Sequence, residues 1–570
     1  MLADDSSVEA KKREASLLFC ASERYLGEED VGEALASAMT ALPLFREVGE
    51  DRGVHDTLRV IVAAQRVEAG LACEDRPSEA ERLARQELAA FEGQGDRRGQ
   101  ATMLLSLAEC LCDHRSVRQS ELYEAEGWAH RALDVFREMG DDKMAALALL
   151  ELARIHAARE EAEGVLDKAA RARELFQRIG DKAGDARALH GMAIGDILDR
   201  RLPEAVAKMR EAMAMFRELG IRKWEAFELC VMAEVFLEDE KPLRALPVAR
   251  EALSGFREVS YGKGWEAASL SAVVRSLAGK QQADLAIKAA QEGLDRLLDQ
   301  SDLRQHVLGY EILSDALLAD GRPAEALEAC NRAQEVARGT DDRRLELGVA
   351  HAAMWAHVYA GEWDRAIDRM EDAAGLAEDL EDELEEALAA HNLAFLCLQR
   401  GEHRLVAEHC SQAGSLFEKI EHKRGEAASL MVAAVSSSDQ DKLTEAVGKC
   451  TQAQDLYRSA RDLRGEHDAC RMLAELHLAR EDVDAASQAA ERGVELMRSY
   501  RNRRLEAIAW RLLARVQLDA GKPEIAEKSL LRAREAASAV QDRAEMTQAQ
   551  LQLTQTYVAM NADGGEAAAA

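Results

Sequence analysis

Between residues 502 and 540, Leu505, Ile508, Ala509, Leu512, Leu513 and Val516 recur at the spacing of one helix face, with charged residues between them. Gly521 and Pro523 interrupt the pattern, and Ile525, Ala526, Leu530, Ala533 and Ala537 resume it. Glycine suits the left-handed C-cap of a helix, and proline in the next first turn removes no intrahelical hydrogen bond. The stretch therefore reads as a helix hairpin.

The same pattern returns along the whole chain. Each second helix ends on an anchor followed by a Gly-Asp-like turn, at Phe45, Phe91, Phe136, Phe176, Phe216, Phe256, Leu297, Ala337, Ala377, Phe417, Tyr457, Met497 and Ala537. The first spacings are 46 and 45, and the later ones are 40 or 41. So regular a period implies stacked copies of one unit rather than a single core. A small residue precedes each anchor from the third onward: Ala132, Ala172, Ala212, Ala252, Gly293, Ala333, Ala373, Ala413, Ala453, Gly493 and Ala533. That column marks where neighbouring hairpins approach most closely. The extra residues around Cys73 to Pro77 and His114 to Glu121 account for the two long early spacings, as loops or helix extensions.

Trp510, Leu513-Ala514, Gly521 and Ala526 resemble the tetratricopeptide repeat, as do Tyr310, Leu313-Ser314, Gly321 and Ala326. The longer period and the phrase from Gly95 to Ala101 resemble the long-period class of kinesin light chains, Pins-type regulators and maltose-activator-like bacterial regulators. The resemblance implies an all-α, right-handed α-solenoid of about 13 hairpins, with first helices lining a concave groove that binds peptides. A solenoid over 1–541, a capping helix over 542–560 and a disordered tail over 561–570 complete the expected organisation.

Composition narrows the functional classes. A net charge of -31 disfavours nucleic acid, and no stretch reads as a membrane span or leader, so a cytoplasmic location is expected. The 10 cysteines form no CxxC pair, and neither Cys110/Cys112 nor the group of Cys397, His403, His409 and Cys410 has a zinc spacing. No phosphate loop, HExxH helix, GxSxG elbow or kinase-like set occurs, so the expectation is no enzyme, no cofactor and no metal.

Carrying the family's groove positions back in steps of 40 aligns His351 with His391, Trp355 with Phe395 and Val358 with Leu398. This patch suits apolar anchors of a peptide; the alternative is that it fills core between repeats. Arg471, Arg511 and Arg515 occupy groove positions nearer the C-terminus, after Arg503 and Arg504, and suit an acidic peptide unless Glu475 and Glu506 neutralise them. Basic residues recur in the turns, among them Arg97, Lys182 and Arg343, and read as cations placed near helix C-termini and pairing with acids of the next repeat. Trp224, Tyr261 and Trp265 form an aromatic island of either packing or binding character. The chain lacks the Lys and Asn clamp of chaperone-tail binders. The reading is a scaffold or adaptor for protein partners; the alternatives are a sensor of a small effector and a subunit of a large assembly.

Overall fold

The computed structural model describes residues 2–27, 30–71, 78–113, 117–239, 241–258, 263–299, 302–340, 342–540 and 542–567, and all its regular elements are helices. The chain divides into two compact units, Met1–Thr340 and Asp341–Ala570. Unit 1 begins with α1 (Leu2–Gly27), α2 (Val31–Val48), α3 (Asp51–Leu71), α4 (Ser78–Gln94), α5 (Arg97–Cys112) and α6 (Gln119–Glu138). It continues with α7 (Asp142–Ala158), α8 (Ala162–Ile179), α9 (Lys182–Leu198), α10 (Leu202–Glu218) and α11 (Arg222–Glu238). It ends with α12 (Pro242–Glu258), α13 (Lys263–Gly279), α14 (Ala283–Leu298), α15 (Leu303–Ala319) and α16 (Pro323–Arg338). Unit 2 holds α17 (Arg343–Ala360), α18 (Trp363–Asp379), α19 (Glu383–Gln399), α20 (His403–Lys419), α21 (Lys423–Asp439) and α22 (Leu443–Ser459). After these come α23 (Leu463–Ala479), α24 (Val483–Ser499), α25 (Arg503–Asp519), α26 (Pro523–Ala539) and α27 (Arg543–Ala567).

Thirteen helix pairs and a last helix match the expected all-α array of hairpins. Within each unit, every helix packs on the next in sequence. Several odd-numbered helices also touch the next odd-numbered helix, as in α3 with α5, α13 with α15 and α19 with α21, whereas even-numbered helices make no comparable contact with one another. The odd helices are thus the more tightly gathered set, and their outward positions form each unit's inner face.

The turn phrase has a physical account residue by residue. In Gly95-Asp96-Arg97-Arg98-Gly99, Gly95 adopts φ +69°, which ends α4 in the left-handed region. The Asp96 carboxylate then accepts the Gly99 N–H at 3.0 Å and caps α5. A Cβ on Gly99 would lie 2.5 Å from the Phe91 ring, so the anchor packs directly on glycine backbone in the next helix. The lock repeats where Phe176 covers Gly184, Phe417 covers Gly425 and Tyr457 covers Gly465. Where Phe216 faces Trp224 instead, the rings stack at 5.4 Å.

The small-residue column is buried throughout, and Gly293 is held so closely that a Cβ would stand 2.2 Å from Leu270 Cδ2. The left-handed turn outlives the glycine: Glu381, Glu421, Arg461 and Arg501 take φ between +54° and +59° at the equivalent corner. At the C-terminus Leu553 of α27 buries itself against Ala514, Ala526 and Leu530, covering the last hairpin. That helix continues to Ala567, beyond residue 560, and 568–570 lie outside the described residues. Residues 72–77, which hold the expected Cys73 to Pro77 insertion, and 114–116, the first part of the expected His114 to Glu121 insertion, are also outside them, and the rest of the second leads into α6 at Gln119.

The turn cations need one correction. Arg97, Lys182 and Arg343 open odd-numbered helices, so each stands at a helix N-terminus, where the dipole opposes a positive charge. What holds them is the acid at the end of the following even helix: Glu138 at 2.6 Å, Glu218 at 3.7 Å and Asp379 at 3.6 Å, respectively. The pairing was legible, the dipole argument was misplaced.

Gly465→Ala forces a Cβ to within 2.3 Å of the Tyr457 ring and is expected to cost about 1–3 kcal/mol. Arg461→Gly relieves a left-handed arginine and gains up to about 1 kcal/mol. Urea unfolding of the full chain should show opposite midpoint shifts; an unmoved midpoint for Gly465→Ala would remove the lock from the account.

Candidate functional site

The inner face of unit 2 is built by α17, α19, α21, α23 and α25, which start at residues 343, 383, 423, 463 and 503. Because these helices share one burial register, equivalent side chains form columns. One column runs Trp355, Phe395, Val435, Glu475 and Arg515; another runs His351, His391, Met431, Arg471 and Arg511. The face is therefore aromatic at α17 and α19, aliphatic at α21, and charged at α23 and α25.

At the aromatic end Trp355 is 44% exposed, and its ring centroid stands 6.4 Å from that of half-buried Phe395, tilted by 47°. One turn further along α17, Tyr359 is 65% exposed. Sequence analysis missed Tyr359, although a step of four along the helix from Trp355 reaches it. Val358 and Leu398 are half-buried and pack on the cluster of Leu347, Met354 and Leu393, or on Ala394 and Cys397, so they belong mainly to the core. His351 Nε2 lies 3.4 Å from Glu385 Oε2, a contact without hydrogen-bond alignment. His391 Nδ1 meets Ser429 Oγ at 3.2 Å, and burial holds its pKa below the ordinary imidazole value.

The basic end is partly occupied by the protein's own acids. Arg511 donates to Glu545 at 2.5 Å and to Gln552 at 3.2 Å, both on α27. Arg471 pairs loosely with Glu475 at 3.5 Å, Arg503 with Glu506 at 2.8 Å and Arg504 with Asp542 at 3.0 Å. Arg515 is exposed and has no partner among the described residues. The expected arginine trio is thus on one face, but Arg515 alone of the three presents a whole fork to solvent.

The other singled-out residues resolve into packing. Trp224 stacks on Phe216, and Phe227 bridges it to Trp265 at 5.4 and 4.8 Å, in a continuous run of rings that Phe256 and His190 extend. Tyr261 lies outside the described residues. Cys397 and Cys410 share an apolar cluster with Val406, and His403 Nδ1 is engaged with Ser436 Oγ at 3.0 Å. Burial pushes the thiols of Cys110 and Cys450 up to about 12, far from a thiolate ligand or nucleophile. Among the described residues no three metal-capable side chains converge, and no helix is long and apolar enough to cross a membrane.

Unit 1 carries a constellation that sequence analysis did not flag. Glu109 of α5 accepts from Arg59 at 2.6 Å and from Arg66 at 2.6 Å, both on α3. Asp113, which follows α5, binds Arg66 at 2.7 Å and also Arg154 of α7, and Arg154 returns to Glu151 at 2.9 Å. Three guanidiniums thus interlock with three carboxylates across three hairpins. Spacings of 45 and 46 residues put this part of the chain out of step with the later columns, which hid the network from a fixed frame.

No protein-family model matches the chain, and no curated protein does. Among solved structures it is similar to BtubC (BKLC) from P. vanneervenii, at 15% identity over 38% of this chain and 92% of that one, with a TM-score of 0.35. A Rap protein solved in complex with the Competence and Sporulation Factor matches at 10% identity over 60% of this chain and 99% of that one, TM-score 0.35. The APC/C hetero-tetramer Cut9-Hcn1 matches at 13% identity over 94% and 96%, TM-score 0.33.

His391 gives the face a pH signature. Its folded pKa lies below the unfolded value of about 6.5, so the unfolded chain takes up a proton that the folded one refuses. Stability from this group is complete above pH ~6.5 and is lost as pH falls through the folded pKa. Relative to the native chain, His391→Gln should gain ground in unfolding free energy between pH 7 and 5 (chosen to bracket that value); a pH-independent difference would contradict the assignment.

Proposed function

We propose that this chain is a non-enzymatic scaffold that binds protein partners through the inner face of its hairpin array. The observation that carries the reading is the exposure of Trp355, whose ring leans on Phe395, and of Tyr359 one turn further along α17, on a face where the positions equivalent to Trp355 in α21, α23 and α25 are aliphatic or charged. Large aromatic surface left in water costs free energy, roughly 25 cal/mol for each Å² that a partner would cover. Aromatic side chains are also the residues that dominate binding energy when they fill a partner's pocket. His351 and His391 border the patch with ring nitrogens able to orient a peptide, and further along Arg515 offers a guanidinium fork to an acidic segment, with Arg471 joining it on release from its loose pair with Glu475.

The fold explains why such a site sits here. Anchors and small residues consume the buried positions, so the structural constraint on each repeat falls on the even helices and on the core side of the odd ones. The inner-face columns stay free to vary, and variation along them converts a uniform array into an ordered series of contacts.

Selection of peptides from a random display library against the full chain tests the reading. The expected winners carry aromatic or large aliphatic anchors and bind the Trp355→Ala/Phe395→Ala variant about tenfold more weakly or worse, with an unchanged helical signal. Recovery of no binding peptide, or of peptides indifferent to the double substitution, sinks the proposal. Any contribution of Arg471 and Arg515 should appear as acidic flanking residues whose benefit fades with added salt.

A further inference from the structure

The outer side of α27 is built like a joint. Ala544, Thr547, Leu551, Thr554 and Val558 recur at spacings of three and four, opposite the buried Ala549, Leu553 and Thr556. All five are exposed, Leu551 by 53% and Val558 by 65%. One repeat earlier, in α25, the same positions are covered. Ala507 packs with Ala536 and Ala537 of α26, Ala514 packs with Ala526 and Leu530 of that helix, and Arg511 is held by Glu545 of α27. No described residue covers the stripe on α27 in that way.

The chemistry of the stripe narrows what can lie on it. In a chain with a net charge of -31 and 31% charged residues, no residue from Met546 to Ala562 is charged, the longest such run in the sequence. Thr547 and Thr554 donate their hydroxyls to the Arg543 and Gln550 carbonyls of their own helix, at 2.8 and 3.0 Å, so covering them strands no donor. The stripe is therefore ready for burial against a surface as neutral as itself. A charged partner surface would lose its water there and gain no counter-charge. Gln548 and Gln555 flank the stripe on one side, are exposed and engage no other described residue. An amide both donates and accepts, so a row of glutamines is matched by another row of glutamines.

We propose that a second copy of this chain docks its own α27 on this stripe, giving a two-fold pair. Alternating steps of three and four residues average 3.5, the period at which two helices wind around each other along one continuous seam. In the antiparallel arrangement the two-fold axis passes between Leu551 and Gln552, and Gln548 of each copy faces Gln555 of the other. Two copies of a chain this acidic repel one another, and the uncharged stretch lets them touch without setting like charges side by side. The seam from Ala544 to Val558 is about 21 Å long. So short a contact belongs with the weak interfaces, and half-association is expected between about 1 and 100 µM.

Sedimentation velocity of the full-length chain over that concentration range tests the proposal. The native chain is expected to pass from monomer to dimer. Leu551→Glu/Val558→Glu sets like charges in the seam and should raise the concentration for half-association about tenfold or more. Leu243→Glu/Leu285→Glu adds the same charge at exposed positions of α12 and α14 and should leave it unchanged. A helical signal equal to the native one in each variant rules out misfolding as the cause. Chains carrying Leu551→Lys and chains carrying Leu551→Glu, each weakened alone, should associate when mixed, which a merely damaged helix would not do. A native chain that stays monomeric throughout leaves the stripe to a different protein and overturns the proposal. So does a dimer indifferent to Leu551→Glu/Val558→Glu, or a Leu551→Lys and Leu551→Glu mixture that fails to associate. None of these substitutions lies on α17 or α19, so the outcome is separable from the fate of the scaffold reading.

Discussion

Everything in this molecule depends on how closely one hairpin can approach the next. A single methyl or hydrogen at the column from Ala132 to Ala533 sets that distance, and at five joints an anchor ring resting on Gly53, Gly99, Gly184, Gly425 or Gly465 of the following helix sets its direction. The two contacts are complementary in volume. Gly425 receives Phe417 and Gly465 receives Tyr457, whereas the alanine anchor Ala377 is followed at the same offset by Glu385. Since each hairpin buries its apolar face only against its neighbours, these joints are the core of the protein. At the joint of α25 and α26 with α27, Leu553 plays the same part by packing on Ala514, Ala526 and Leu530.

Much of this was legible because each element has a local cause. Gly95 announces a left-handed corner, Asp96 a cap and Gly99 a close approach, and the three stand in reading order within five residues. Legibility fails where the cause is not local. Arg461 and Glu381 adopt the left-handed corner because flanking helices impose it, and no propensity in their own side chains signals that. The turn cations were placed at the wrong helix end because their partners, such as Glu138 for Arg97, lie a full repeat away.

The proposed functional surface divides in the same manner. Trp355, Phe395, His351 and His391 were found by carrying one frame along equal spacings, and the structure places all four on one face of unit 2. It also shows Arg511 engaged by Glu545 of the terminal helix, a pairing that depends on how α27 docks. Arg59, Arg66 and Arg154 escaped notice because they belong to unequal repeats and meet only through Glu109 and Asp113 on the hairpin between them. Periodic constraint and functional freedom are thus held by different faces of the same helices: the buried side repeats, and the inner side departs from repetition.

That division is tested most directly by a photocrosslinking residue placed at position 359 on the inner face, and separately at position 405 on the exposed side of α20, in the full chain within its native cells. The account predicts discrete protein adducts from position 359 and none of them from position 405. Adducts of the same proteins from both positions, or from position 405 alone, would contradict it.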